Sequence, residues 1–201
     1  MKLVSATLLI LIISLTLGLN SAFGYGEFQP PEVNESQADE AIEKIVPLRF
    51  LPGNPLHLLI LVKESTTRLI QPSALQKAEF DLTVCGKRLK EAYLLTKKGN
   101  MKKASEALDS YSKSQARFNK QIVKARSQNQ DVEKLIGASA DIYESHEILI
   151  YAISQITKGR TLGYDYDTNL FQAVNSLKNN IELIDSIKPG IKNRFKELFE
   201  I

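Results

Sequence analysis

The two histidines, His57 and His146, are the first residues to consider for chemistry, because imidazole is the commonest general base and metal ligand in proteins. A zinc protease helix needs His-Glu-x-x-His, and a di-iron bundle needs Glu-x-x-His twice. Neither pattern occurs, since Glu144 stands two positions before His146. His146 lies on the apolar stripe of its helix, which favours a buried, hydrogen-bonded or register-setting imidazole over a metal ligand or a pH-sensitive switch.

Residues 165–169 (Asp-Tyr-Asp-Thr-Asn) resemble the start of a calcium-binding loop. Such a loop needs Gly at its sixth position and Glu at its twelfth. This sequence has Leu170 and Ser176 at those positions. The pattern therefore favours Asp167 or Thr168 as the N-cap of a following helix.

Nucleophilic catalysis has no recognisable motif in this chain. There is no Gly-x-Ser-x-Gly turn and no Gly-rich phosphate-binding loop. Cys85 is the single cysteine, so an internal disulfide is excluded, and we expect this thiol to be buried as a small hydrophobic group. The sequence thus predicts that the protein is not an enzyme, with no catalytic, cofactor-binding or metal-binding residue.

Basic residues form the one surface feature with a functional interpretation. They crowd around a predicted turn at Gly99-Asn100 and continue along one face of the next helix. The set is Lys87, Arg88, Lys97, Lys98, Lys102, Lys103, Lys113, Arg117, Lys120 and Lys124. A solvated face is the simpler interpretation, and contact with an anionic envelope polymer or lipid headgroups is the functional one. A net charge of +3 and the lack of interleaved aromatic residues argue against nucleic acid.

Residues 1–24 are typical of a secretion signal. Lys2 gives a basic start, residues 3–19 are uncharged and mostly apolar, and Ala22 and Gly24 place small residues at −3 and −1 of a cut after Gly24. The apolar run is a little shorter than the ~20 residues that span a bilayer. An uncleaved N-terminal anchor therefore stays as the alternative to cleavage, and the protein is expected to be exported in either case.

Residues 25–46 are acidic and contain Pro30-Pro31, which predicts a tether that cannot fold alone. A short helix near 36–45 is left open. Residues 47–201 are then the folded domain.

Helical periodicity dominates that domain. Apolar or small residues recur at alternating steps of three and four in four segments, which keeps one stripe of each helix facing its partners. The segments are about 73–98, 101–125, 131–157 and 170–184. Together with a short, very apolar helix at about 55–70 they predict an all-α fold. We expect an antiparallel up-and-down bundle of four long helices, with coiled-coil-like packing and the short helix packed on it.

Two leucines test this arrangement. Gly99-Asn100 is too short a connection for anything but a helical hairpin, and Leu89 and Leu108 lie at similar distances on either side of it. Both are predicted to be buried. A tetratricopeptide-like repeat array is the structural alternative, although no second copy is visible at a 34-residue period.

The segment 51–57 (Leu-Pro-Gly-Asn-Pro-Leu-His) and Glu64 resemble the opening signature of a bacterial domain-of-unknown-function family, which begins Pro-x-Ser-Pro-Leu-Tyr and continues with Lys and Glu. Residues 77–79 (Lys-Ala-Glu), 87–92 (Lys-Arg-Leu-Lys-Glu-Ala) and 98–100 (Lys-Gly-Asn) look like its second helix and turn. The resemblance covers roughly 50–125. His57 and Ile60 depart from it, standing where the family has Tyr and Lys.

The resemblance implies an exported or membrane-tethered helical protein, because members of the family mostly have such an address and no established activity. It supplies no reaction and no site. We therefore expect an exported, non-enzymatic interaction or scaffold module, either envelope-associated or secreted. Its partner would be a protein or an anionic envelope polymer. We expect no cofactor and no nucleic-acid partner, and membrane contact only through an uncleaved N-terminus. The alternative is a ligand-binding or stress- or pH-sensing extracytoplasmic bundle, since a bundle core can hold a small ligand and His146 could report acid.

Overall fold

The computed structural model describes residues 30–200, and within that range all regular structure is helical. Between residues 30 and 200, seven α-helices follow one another, with a short 3-10 turn before the last. They are α1 (Glu35–Lys44), α2 (His57–Ile70), α3 (Ala74–Lys97), α4 (Met101–Ser127), α5 (Glu133–Thr157), α6 (Tyr164–Ile187), the 3-10 turn (Lys192–Phe195) and α7 (Lys196–Glu200). The all-α prediction is confirmed. None of the helices in this range is long and apolar enough to cross a membrane.

The hairpin between α3 and α4 forms where the sequence predicts it. Gly99 adopts φ +74°, a left-handed conformation that ends a helix at little cost for glycine. Asn100 then caps α4, its side chain accepting a hydrogen bond from the backbone N–H of Lys103. Ser73 caps the other end of the hairpin by accepting from the N–H of Gln76.

Helix α1 lies in the segment that was expected to be a tether. Asn34 and Gln37 form a capping box, in which each side chain accepts from the other residue's backbone N–H. Ala38, Ala41 and Ile45 are buried, and α1 packs mainly against α5. Residues 34–45 are therefore part of the packed fold, because three small or apolar side chains on one face outweigh the acidic composition of the other.

The order of the long helices in space differs from their order along the chain. α3 packs along α4, α4 along α6, and α5 lies beside α3, α6 and α1. Ser105 near the start of α4 donates to the backbone of Asp165 at the start of α6, and Gln115 meets Asn180 further along both helices. The neighbouring helices α4 and α6 therefore run in the same direction. The up-and-down arrangement, in which every neighbour is antiparallel, is not confirmed.

Aromatic rings fill the centre of the molecule between α4 and α5. Phe118 of α4 meets Tyr143 of α5 edge to face, with ring centroids 6.1 Å apart. Leu89 and Leu108 are completely buried, as the periodicity predicts, and so is the thiol of Cys85. The apolar stripes of the long helices thus form one core.

Candidate functional site

Helix α2 rests on α3 through buried charges, although its sequence is mostly apolar. Glu64 accepts from Arg88 and, at 3.1 Å, from the Nζ of Lys87. The other side of the Arg88 guanidinium donates to Glu91 at 2.7 Å. The His57 ring nitrogen Nε2 lies 3.1 Å from the same Glu91 oxygen. Glu64, Arg88 and Glu91 are 8%, 6% and 2% exposed, so this group of five residues, called here the ion cluster, is largely shielded from water.

A second buried pair fixes the far end of α2. Arg68 donates to Asp81 of α3 through two parallel hydrogen bonds, Nε to Oδ1 at 2.7 Å and Nη2 to Oδ2 at 3.0 Å. This two-point geometry is the strongest form of an Arg–carboxylate pair. Asp81 is completely buried, and its hydrogen bonds raise the pKa of the Arg68 guanidinium. Helix α2 is therefore clamped near both of its ends.

The ion cluster is suited to orienting a helix. Glu64 is held by two cations and Glu91 by Arg88 and His57. A carboxylate that must act as a general base needs a free oxygen facing a substrate, and these carboxylates instead face cations of the same chain. Removing one member would leave its partners charged and buried, which is costly. The cluster thus sets which side of α2 faces the protein.

The opposite side of α2 carries its large apolar residues into solvent. We call this side the α2 outer face, made of Leu58, Leu59, Val62, Leu69 and Ile70, which are 67%, 65%, 64%, 75% and 72% exposed. At about 100° per residue these side chains lie within an arc of about 120°. Within the arc only Thr66 interrupts the apolar residues, and its hydroxyl donates to the backbone of Val62.

The short helix predicted at 55–70 does lie on the bundle, against α3, but its large apolar residues do not make that contact. Its polar residues, His57, Glu64 and Arg68, face α3 instead. The physical reason lies on α3, where Asp81, Arg88 and Glu91 are buried in the structure with α2 over them, so that charged partners on α2 are favoured over leucines. Satisfying those groups places the apolar side of α2 outward.

The ten basic residues do not form one continuous patch. Arg88 lies in the interior of the ion cluster, which corrects its assignment to the surface, and the Nζ of Lys87 is bound to Glu64. Lys97 pairs with Glu35 of α1 at 2.7 Å, and the hydrogen bond to that carboxylate raises the pKa of the lysine.

The other basic residues lie along α4 and its hairpin. Lys113 pairs with Asp109 one turn away, and Arg117 donates to Ser114 with its Nε 3.6 Å from Asp81. Lys98, Lys102, Lys120 and Lys124 are exposed, while Lys103 is half-buried and its ammonium lies against Gly53 at the approach to α2. Of the ten predicted basic residues, only Lys87, Arg88 and Arg117 lie near the side of α2 that faces α3.

His146 lies in the core, as its position on the apolar stripe predicts. Its Nδ1 is 3.3 Å from the Tyr111 hydroxyl, which also accepts a 2.6 Å hydrogen bond from Gln115. Its Nε2 packs against Gly86 of α3, where a Cβ would come within 3.3 Å. Burial lowers the pKa of His146 to about 3. The imidazole is therefore neutral throughout pH 5 to 8, which argues against this residue as a sensor of mild acid.

One open cavity of about 500 Å³ lies between the starts of α4 and α6. Met101, Ser105, Tyr166 and Asn169 line it, together with residues from the preceding loop. This space is within the size range of small-molecule sites.

The calcium-loop residues lie beside this cavity in the first turn of α6. The N-cap of α6 is Gly163, with no side-chain cap, so the prediction that Asp167 or Thr168 caps this helix is wrong. The helix begins earlier than predicted, which puts both residues inside it. Within residues 30–200 no group of three or more metal-binding side chains comes together.

Sequence reasoning missed the ion cluster as a unit, although its signal was present. His57 and Glu64 are seven residues apart, two helical turns, and Arg88 and Glu91 are three apart, so each pair shares one helix face. The apolar residues of α2 and the apolar stripe of α3 were taken to decide which side of each helix is buried. Charged residues at the same spacing would have predicted a polar contact between them.

Comparison with known families agrees with the resemblance seen in the sequence. Residues 49–145 match the family described as Domain of unknown function (DUF5667). The match includes α2, α3, α4 and the first half of α5, and so contains every residue of the ion cluster. No curated protein and no solved structure matches the chain. The prediction of a domain-of-unknown-function family is confirmed.

Proposed function

We propose that the domain matched over residues 49–145 is a non-enzymatic interaction module of an exported protein, and that α2 is its contact element. The observation that carries this proposal is the outward orientation of α2. Five large apolar side chains are at least 64% exposed, while Glu64 of the same helix is buried and Arg68 is bound to the buried Asp81. A contiguous apolar patch on a protein surface usually marks a site of contact with another molecule.

The ion cluster supports this proposal because it gives the exposed face a fixed direction. If α2 were held only by hydrophobic contacts, turning its leucines inward would lower the free energy of the folded protein. Rotation of α2 would break the pairs of Glu64 with Arg88 and of Arg68 with Asp81 and leave buried charges without partners. The ion pairs beneath α2 therefore keep its outer face exposed.

The exported location rests on the sequence of residues 1–24, and the envelope or the external medium is the place where we expect the module to work. A reporter enzyme that is active only after export, fused behind residues 1–46, tests this location. Activity that disappears when the apolar run is interrupted by charged residues supports export. An inactive fusion that accumulates inside the cell contradicts it.

The contact role of α2 can be tested by site-specific cross-linking in the full chain. Cys85 is fully buried, so Leu59→Cys supplies one accessible thiol for a photoreactive label. Val123→Cys on α4 is the matched control, since Val123 is an apolar residue that is also exposed, at 56%. We expect the label at position 59 to form adducts with an envelope component, and the label at position 123 to form none. Equal labelling from the two positions, or none from either, contradicts the proposed contact.

A further inference from the structure

We infer that the α2 outer face lies in the headgroup region of an anionic lipid bilayer, with the helix axis along the membrane surface. This inference rests on the proposed function, because it names the partner of the same face. It goes beyond the sequence-based expectation of membrane contact through the N-terminus alone.

The dimensions of α2 suit a surface position. Its 14 residues give a length of about 21 Å, too short for a hydrocarbon core of about 30 Å. Its inner side is bound to α3 by buried ion pairs, so only the outer face can leave water. Interfacial helices bury one apolar face about 5–10 Å deep and keep the other side polar. In α2 the polar side faces α3 instead of water, so the rest of the protein would lie on the aqueous side of the membrane surface.

The charges around α2 select an anionic surface. Between residues 46 and 78 the only carboxylate is Glu64, which is buried in the ion cluster. Arg49 and Lys63 are exposed in the same stretch, and the ammonium of Lys103 lies beside Gly53. An apolar face bordered by cations, with no exposed acid in its segment, complements anionic lipid headgroups.

The same charges argue against a second copy of this chain as the occupant. A twofold contact places identical patches against each other. Lys63, which borders the outer face on α2 itself, and its symmetry mate would then both lie at the contact, with no exposed acidic residue of this segment to neutralise them. A lipid surface supplies the negative charge that a second copy lacks here.

Tryptophan fluorescence tests the inference directly, because the chain contains no tryptophan. Leu59→Trp places a single probe on the outer face, and Val123→Trp places a control probe on the exposed side of α4. The full chain is mixed with phosphatidylcholine vesicles, either pure or with about a third phosphatidylglycerol. Since both variants retain residues 1–29, any attachment through that segment affects them equally.

We expect the emission of Leu59→Trp to move to shorter wavelength with the anionic vesicles, and bromine-labelled acyl chains to quench it. Val123→Trp should keep the emission of a water-exposed indole. Adding Lys63→Gln to Leu59→Trp should lower the apparent partition coefficient about fivefold, as expected for one basic residue at an anionic surface. Adding Leu69→Gln should lower it about tenfold, because a large apolar side chain is lost from the buried face.

Two results would overturn the lipid inference. One is an unchanged emission of Leu59→Trp with both kinds of vesicle. The other is a blue shift that depends on protein concentration without lipid, which would assign the face to a second copy. The proposed contact role survives either result if the photoreactive label at position 59 still forms specific adducts with an envelope protein. It fails separately if that label forms no adduct.

Discussion

Replacing Arg88 by methionine should be among the most destabilising single changes on the surface of α3 that faces α2. Arg88→Met keeps much of the side chain's length and apolar stem but removes the charge that joins Glu64 to Glu91. Two carboxylates that are at most 8% exposed then face each other without the guanidinium. Breaking a buried ion pair by removing one partner costs about 3–5 kcal/mol. This is a large share of the ~5–15 kcal/mol by which most domains are stable.

Urea denaturation followed by circular dichroism measures the loss, since urea is uncharged and does not screen the ion pairs. With an m-value of about 2 kcal/mol per molar, a loss of about 4 kcal/mol lowers the midpoint by about 2 M. Glu64→Gln should be costly alone but should add little to Arg88→Met, because its carboxylate has already lost that partner. A double-mutant cycle of these two changes gives their coupling energy.

Lys113→Met is the matched control for Arg88→Met. Lys113 forms an equally close ion pair with Asp109, at 2.6 Å, but its side chain is 67% exposed. A pair of this kind contributes about 0.5 kcal/mol or less. If Arg88→Met and Lys113→Met have the same urea midpoint, the ion cluster does not hold α2, and the argument for a displayed apolar face loses its basis.

Further changes test the core, the imidazole of His146 and the hairpin. Leu89→Ala and Leu108→Ala should each cost about 2–5 kcal/mol in urea melts, and the exposed Val123→Ala less than about 0.5 kcal/mol; equal costs would contradict the assignment of the core. His146 has a folded-state pKa of about 3, below its ordinary 6.5, so its contribution is complete above pH 6.5 and falls as the pH drops toward 3. The free energy of unfolding from urea melts should therefore decline over this window by up to about 1.4 kcal/mol per pH unit, and His146→Leu should flatten that part of the profile; an unchanged slope would refute the burial of a neutral imidazole. A flexible insertion directly after Gly99 should cost only ~0.6 kcal/mol per doubling of loop length, and failure of the chain to fold with it would contradict the hairpin.

The sequence predicted those features that depend on local spacing. The alternating stripe placed Leu89, Leu108 and His146 in the core, and Gly99 ended α3 because a left-handed residue there needs no side chain. Lys90 shows the limit of the same reasoning, since its position next to Leu89 and off the apolar stripe favours the outer face of the helix. Its Nζ donates to the carbonyl oxygens of Ile42 and Ile45 at the end of α1, a contact between residues more than 40 positions apart.

The spatial order of the helices was also beyond local reasoning. Each apolar stripe predicts that a helix has a buried side, but it does not predict which other helix covers that side. Gln115 of α4 joins Asn180 of α6 and Tyr143 of α5, so one polar side chain in the centre contacts two helices at once. Such a contact makes α4 and α6 neighbours, and no pattern within a single helix encodes it.

The orientation of α2 was missed for a different reason, because hydrophobicity was taken to decide which side of a helix is buried. Burying a leucine is worth about 1.5–3 kcal/mol, whereas leaving one charge of a buried pair alone costs about 3–5 kcal/mol. On α3, Asp81, Arg88 and Glu91 occupy the surface that α2 must cover. An apolar helix side over this surface would remove the α2 partners of Asp81 and Arg88 while still covering both groups, whereas the side carrying Glu64 and Arg68 pairs with them. The charges on the covering surface therefore outweigh the leucines of the helix that covers it, and they leave those leucines available for contact with another molecule.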